Sequence, residues 1–396
     1  MWISALSGSI RLLAFVKIAI LARLLLPNQF GEFAVITMVI ALVEMLTETG
    51  INVFLLQEKD SLAKFINTAW VVSIFRGVVI SAVIVVAAYP VAIFFHIPTA
   101  RNLLLVASLI PLIRGLINPA SIKWQKELLF AKEFGYRLSI VAVEIALTVV
   151  LVLRFPSAAS LVLGMAGAAI GEVVASWLFI TPRPKAKLDW EQVKTIVQRG
   201  KWVTGFGLFD YIFTTADNVV VGRMLGSSAL GIYQNAYKLA LLPGTQANDI
   251  YYKTTTPVYV KLLDERRSVA KAILVGTSGL VGIQVVIGVA IFALADWLVR
   301  VILGPNWLAA IPAVRTLALL SVIRGIALSP NSLLVALKQQ HYVTWVTLVA
   351  MAGLITTIVP AVARWGIVGA AYSAVFGAAL SLPVALFFLR KVVQSI

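Results

Sequence analysis

Long apolar runs, broken only by short turns, bound what this chain can be. Residues 67–95 carry a single charge, Arg76, and residues 342–362 carry none. An apolar run of about 18 residues or more with few charges is long enough to cross a bilayer as a helix. An outer-membrane barrel would instead show segments of about ten residues with alternating polarity. Of the residues 60% are hydrophobic and 13% charged, where a soluble domain is about half apolar and a quarter charged. That excludes a soluble globular protein, and so much hydrophobicity excludes disorder. The fold class is an all-α polytopic membrane protein.

At about 20 apolar residues per crossing, 396 residues hold roughly 12 spans. We read helices over 4–25, 31–56, 67–95, 100–121, 135–153, 158–180, 202–224, 230–255, 270–299, 309–335, 342–362 and 366–389. Turn residues separate them, among them Pro27-Asn28, Phe155-Pro156, Gly226-Ser227-Ser228 and Gly304-Pro305-Asn306. No connection is long enough for a soluble domain.

Basic residues are distributed unevenly between the two sides. The connections after even-numbered helices, with the C-terminal tail, hold 20 Lys and Arg, against 6 in the other connections. By the positive-inside rule both termini are cytoplasmic. Topology therefore accounts for the net charge of +16, and no nucleic-acid partner is expected. There are no cysteines and two histidines, His96 and His341, both near helix ends. Disulfides, thiol chemistry, a metal centre and a bound cofactor are not expected. The chain enters its first span almost at once, and a cleavable leader is not expected.

The two halves echo each other. Helix 1 ends Arg23-Leu24-Leu25-Leu26-Pro27-Asn28-Gln29-Phe30-Gly31, and Arg223-Met224-Leu225-Gly226 with Leu230-Gly231-Ile232-Tyr233 repeats it at an offset of 200. Ile113-Arg114-Gly115 recurs as Ile323-Arg324-Gly325 at an offset of 210. This predicts a six-helix lobe over 1–182, a cytoplasmic linker over 183–201 and a second six-helix lobe over 202–396. Six is even, so the lobes enter from one side and are related by an axis along the membrane normal, as in parallel transporter repeats. In the linker, Arg183, Lys185 and Lys187 form a basic patch suited to an anionic leaflet. Asp189 and Gln192 have capping-box spacing, and Val193, Ile196 and Val197 share a face, which predicts a short interfacial helix.

The span count, the ending of helix 1, and the stretch Asp217-Asn218-Val219-Val220-Val221-Gly222-Arg223-Met224-Leu225-Gly226 with Leu230-Gly231-Ile232-Tyr233 and Ala236 resemble the polysaccharide repeat-unit flippases. These are the Wzx-type proteins of O-antigen, capsule and exopolysaccharide synthesis, in the superfamily of the multidrug/toxin extruders and the lipid II flippase. The resemblance covers essentially the whole chain. It implies a V-shaped pair of six-helix lobes around a cavity. It also implies transfer of an undecaprenyl-diphosphate-linked oligosaccharide across the bacterial inner membrane by alternating access. Polysaccharide polymerase or export proteins are the partners it suggests. The chain is short for the family, which leaves a truncated start or a missing cytoplasmic tail as readings.

Charged side chains inside spans cost roughly 2.5–3.5 kcal/mol each on insertion scales, so they line a cavity or pair. Arg11, Lys17, Arg76, Arg114, Lys238 and Arg324 are the candidates for holding a diphosphate or acidic sugar, because arginine forks grip phosphate bidentately and lysine acts as a point charge. Arg315, near a helix end, is read as snorkelling to the interface. Glu44, Glu48, Asp217 and Asp249 are candidates for carrying a coupling proton or sodium ion, or for neutralising those cations; Glu144 joins them as a charge-pairing residue. The offset aligns Lys17 with Asp217, which are expected to pair in one state of the transport cycle. Pro243-Gly244 is expected to bend its helix and free a carbonyl. Tyr211, Tyr233, Tyr237 and Tyr251 suit sugar stacking, while Trp70, Trp202, Trp297 and Trp307 suit the interfacial belt.

Three classes compete. A drug/cation antiporter of the same superfamily would favour an acidic cavity, whereas the in-span charges away from span ends balance at seven basic and seven acidic. A membrane glycan polymerase or ligase would want a large outer loop with catalytic groups, and the outer loops are short. A transporter of an anionic lipid-linked oligosaccharide fits best, and no enzyme activity is expected.

Overall fold

A computed structural model describes residues 2–47, 51, 55–56, 62–264 and 270–394, which are helical with short breaks and contain no strand. The helices are α1 (Trp2–Leu24), α2 (Pro27–Leu46), α3 (Leu62–Phe94), α4 (Pro98–Ala107), α5 (Leu109–Gly115), α6 (Lys123–Lys126), α7 (Phe130–Arg154), α8 (Ala158–Phe179), α9 (Trp190–Asp264), α10 (Ala270–Leu298), α11 (Ile311–Leu328), α12 (Asn331–Ala336) and α13 (Gln340–Val393). Short 3-10 turns at Pro119–Ile122 and Pro305–Ala310 precede α6 and α11. Among the described residues seven helical segments are long and apolar enough to cross a membrane, or eight if the pair Pro98–Gly115 and Pro119–Lys126, bent by 64°, counts as one.

The starts and stops follow local chemistry. Proline occupies the first turn of α2, α4 and α11, where its missing N–H costs nothing. Gln29 Oε1 accepts the Leu26 N–H at 2.8 Å and closes the entry to α2. Asp189 Oδ1 accepts the N–H groups of Glu191 and Gln192 at 3.0 and 3.4 Å, and Gln192 Nε2 donates back to Asp189 Oδ2 at 2.9 Å. The capping box read at Asp189 therefore forms. The helix it opens is not a short interfacial piece, however: α9 runs on without interruption to Gly226.

α9 and α13, of 75 and 54 residues, are far longer than the roughly 20 residues that span a bilayer. Each is broken by one glycine, Gly226 at φ 82°, ψ −178° and Gly366 at φ 58°, ψ −136°. The first lies in a region open essentially to glycine alone. Gly226-Ser227-Ser228 thus separates two helices as its turn residues predict. Pro243 sits inside α9, which remains helical across it.

The chain divides into two compact units, Met1–Thr215 and Ala216–Ile396. The division falls within α9, downstream of the 183–201 linker. In the first unit α3 packs on α4 and α5, α7 on α1 and α8, and α2 on α4 and α8. In the second, α11 packs on α10 and α13. The linker is fastened to the first unit: the buried Asn118 donates through Nδ2 to the carbonyls of Ile180 and Pro182, and Asn67 and Thr68 accept the N–H groups of Lys185 and Asp189. Trp307, read as an interfacial residue, is wholly buried; the 3-10 turn before α11 folds it into the core of the second unit.

Substituting Gly226 by alanine should cost about 1–3 kcal/mol, because the backbone there is closed to side-chain-bearing residues although space is open around it. Gly135→Ala, inside α7 and equally free of neighbours, should gain up to about 1 kcal/mol. Thermal unfolding in detergent should show the two melting temperatures moving in opposite directions.

Candidate functional site

The first unit contains a cavity of about 580 Å³ between α2, α3, α5, α7 and α8. Its charged lining is Arg76, Arg114 and Arg137 with Glu44, Glu133 and Glu172, three of each sign. Trp124, Gln125, Tyr136 and Tyr211 also face it.

Two glycines set its geometry. A Cβ on Gly77 of α3 would lie 2.6 Å from the Pro111 carbonyl oxygen, and one on Gly115 of α5 would lie 2.9 Å from that of Ser73. The helices therefore cross backbone on backbone, as small residues allow in membrane proteins. The residue preceding each glycine is an arginine, so the crossing brings Arg76 and Arg114 to the same cavity. Both reach α2: Arg76 Nη2 donates to the Glu44 carbonyl oxygen at 2.8 Å, and Arg114 Nη1 stands 3.6 Å from Glu44 Oε1.

These pairs differ in tightness. Arg114 and Glu44 are 41% and 33% exposed, and at 3.6 Å such a pair is worth about 0–1 kcal/mol. Lys17 of α1 and Glu144 of α7 make a close ion pair, 18% and 28% exposed, away from the cavity lining. On the far wall Arg137 Nε donates to Glu133 Oε1 at 2.8 Å, one helical turn away, and Gln125 Nε2 donates to the same oxygen. Tyr211 closes another side, its hydroxyl donating to the Met38 carbonyl oxygen at 2.6 Å.

The second unit has its own polar cluster. Asp217 is buried; the wholly buried Tyr233 donates to its Oδ2 at 2.9 Å, and the backbone and side-chain amides of Asn218 donate to its Oδ1. Arg324 Nη1 donates to the Tyr237 hydroxyl at 2.9 Å. Gln284, fully buried, donates to the Gly244 carbonyl oxygen at 2.9 Å, so the polar backbone beside Pro243 is engaged from within the fold.

Of the residues singled out in the sequence, Arg76, Arg114 and Glu44 meet in the cavity. Lys17 and Glu144 pair with each other, so Lys17 and Asp217 are each engaged inside their own unit. Arg324 joins the tyrosine cluster, Lys238 is exposed and Asp249 half-buried. Arg11, Glu48 and Trp202 fall outside the described side chains. Tyr233 is a buried partner of Asp217, not an open stacking surface. Trp124, Gln125, Glu133, Tyr136, Arg137 and Glu172 line the cavity without having been picked as site residues. For Arg137 the signal in the sequence is its four-residue spacing from Glu133.

The architecture is that of a polytopic helical membrane protein. It matches the lipid II flippase MurJ in its inward closed conformation with a TM-score of 0.79 at 14% identity, over 98% of this chain and 87% of that one. Residues 20–312 match the family model of the polysaccharide biosynthesis proteins, and the chain belongs to that family. It is 26% identical to the lipopolysaccharide biosynthesis protein WzxC of Escherichia coli (strain K12) over 82% of this chain, and spans 66% of that protein's length. It is 24% identical to an uncharacterized membrane protein in the cps region of Klebsiella pneumoniae, over 98% of this chain and 81% of that one. The likeness to polysaccharide repeat-unit flippases stands.

A double-mutant cycle on Lys17→Ala and Glu144→Ala, read by thermal unfolding in detergent, should give a coupling of about 1.5–3 kcal/mol, the range for hydrogen bonds between charged groups.

Proposed function

We propose that this protein is a flippase, not an enzyme, and moves a polyprenyl-diphosphate-linked oligosaccharide from the cytoplasmic to the outer leaflet of the bacterial inner membrane. It works by alternating access during synthesis of a cell-surface polysaccharide such as O-antigen, capsule or exopolysaccharide. The observation that carries this reading is the arginine pair, Arg76 and Arg114, at a membrane-embedded cavity in a chain of this family. Two guanidinium groups suit a diphosphate, which each can grip through a planar fork. Lining charges of both signs in equal number do not suit an organic cation, which argues against a drug antiporter. The lipid tail stays in the bilayer while the headgroup enters. Twelve crossings, cytoplasmic termini and contacts with polymerase or export proteins belong to the same proposal.

In proteoliposomes the protein should translocate a fluorescent polyprenyl-diphosphate saccharide. Arg76→Ala and Arg114→Ala should each slow it by about ten-fold or more, with thermal stability near wild type. Translocation that ignores both substitutions would remove the cavity from the mechanism. Absence of translocation, with gradient-driven efflux of an organic cation, would make the protein an antiporter.

The carboxylates at depth, Glu44 and Asp217 foremost, suit a coupling proton or sodium ion. An imposed proton or sodium gradient should then change the rate of flipping several-fold. An unchanged rate under both gradients would make transport uncoupled.

A further inference from the structure

The cavity has two chemically different walls. One, from α2, α3 and α5, carries Arg76 and Arg114. The other, from the 3-10 turn at Pro119–Ile122 through α6 into α7, carries Trp124, Gln125 and Tyr136 beside the Glu133–Arg137 ion pair. We propose that this second wall is a saccharide subsite, which reads the sugar attached to the diphosphate and sets which lipid-linked glycan is accepted. It rests on the flippase reading and extends it to the choice of substrate.

The residue chemistry suits a sugar. Trp124 and Tyr136 meet edge to face, with ring centroids 5.2 Å apart and planes at 66°. Both back onto the buried cluster of Ile66, Ala120 and Ile180, which holds the rings in place. Fixed aromatic surface beside a few placed polar groups is the usual make-up of a selective ligand pocket, and it offers the apolar C–H face of a pyranose a platform.

The polar groups are placed too. Gln125 spends its amide nitrogen on Glu133 Oε1, leaving its amide oxygen as an acceptor for a sugar hydroxyl. Arg137 grips the same Glu133 oxygen at 2.8 Å. Glu133 thus fixes one donor from α6 and one from α7, and holds the elbow between these helices in register. Leu128, at φ 57°, and the Leu129 N–H, donating to the Trp124 carbonyl oxygen at 2.7 Å, make that elbow tight. At about 580 Å³ the cavity lies within the roughly 300–1,000 Å³ of small-molecule sites, so it takes a diphosphate with its proximal sugar while the outer sugars lie beyond it.

The test compares two probes on protein in nanodiscs: a polyprenyl diphosphate carrying one N-acetylhexosamine, and the same lipid without sugar. Wild type should prefer the sugar-bearing lipid. Trp124→Ala and Gln125→Ala should each cut that preference by about ten-fold, measured as the ratio of the two dissociation constants. Trp124→Phe should restore most of it. Arg76→Ala should weaken both probes together and leave the ratio intact. Equal weakening of both probes by Trp124→Ala, or no change with either substitution, overturns the saccharide subsite and leaves the flippase reading in place. If wild type binds neither probe, the flippase reading itself fails. Thermal unfolding of each variant separates loss of fold from loss of recognition.

Discussion

Hydrocarbon offers no hydrogen bonds, and every polar group carried into it must be answered from within the chain. That constraint turns apolar runs into helices. It also makes each charge inside a span a statement about its surroundings. Lys17 is answered by Glu144 and Asp217 by Tyr233 and Asn218. Arg76 reaches a backbone carbonyl, and Arg114 a carboxylate at 3.6 Å. The loosest of these contacts lies at the cavity. Tight pairs hold helices together; a loose, part-exposed pair keeps a cation available.

The Gly77–Gly115 crossing converts this into a site. Close approach of α3 and α5 sets two arginines, one on each helix, against one glutamate of α2. Bulkier residues at those glycines would separate the backbones and move both guanidinium groups. The site is thus fixed by residues that make no contact with a ligand. The opposite wall is fixed otherwise, by Glu133 binding Gln125 and Arg137 across the α6–α7 elbow.

Much of the helix layout was legible because its signals are local. Apolar length marks the spans, proline and glycine mark the breaks, and Asp189 with Gln192 marks a helix start. The continuation of that start through α9 was less legible, since a capping box says where a helix begins and not where it stops. Arg76, Arg114 and Glu44 were found because each is costly in a span. Their convergence was not, because it depends on which glycines touch across helices. Trp124 and Trp307 show the same limit: both stand near helix ends, yet one lines a cavity and the other is wholly buried. A tryptophan near a helix end has several uses, and only packing chooses among them.

The internal repeat sharpens the comparison of the two units. Arg324-Gly325 of α11 corresponds to Arg114-Gly115 of α5 at the offset of 210. At that offset Val286 and Ile287 stand where Arg76 and Gly77 do. The Gln284 side chain of α10 lies against Gly325 and Gly244, donating to the Gly244 carbonyl oxygen. Glu44 in turn aligns with Gly244. In the second unit the Gln284 side chain lies against Gly325, whereas in the first the Ser73 backbone lies against Gly115, and Arg324 donates to Tyr237. The paired arginines at the cavity are therefore a property of the first unit's own residues and of the close backbone crossing beside them.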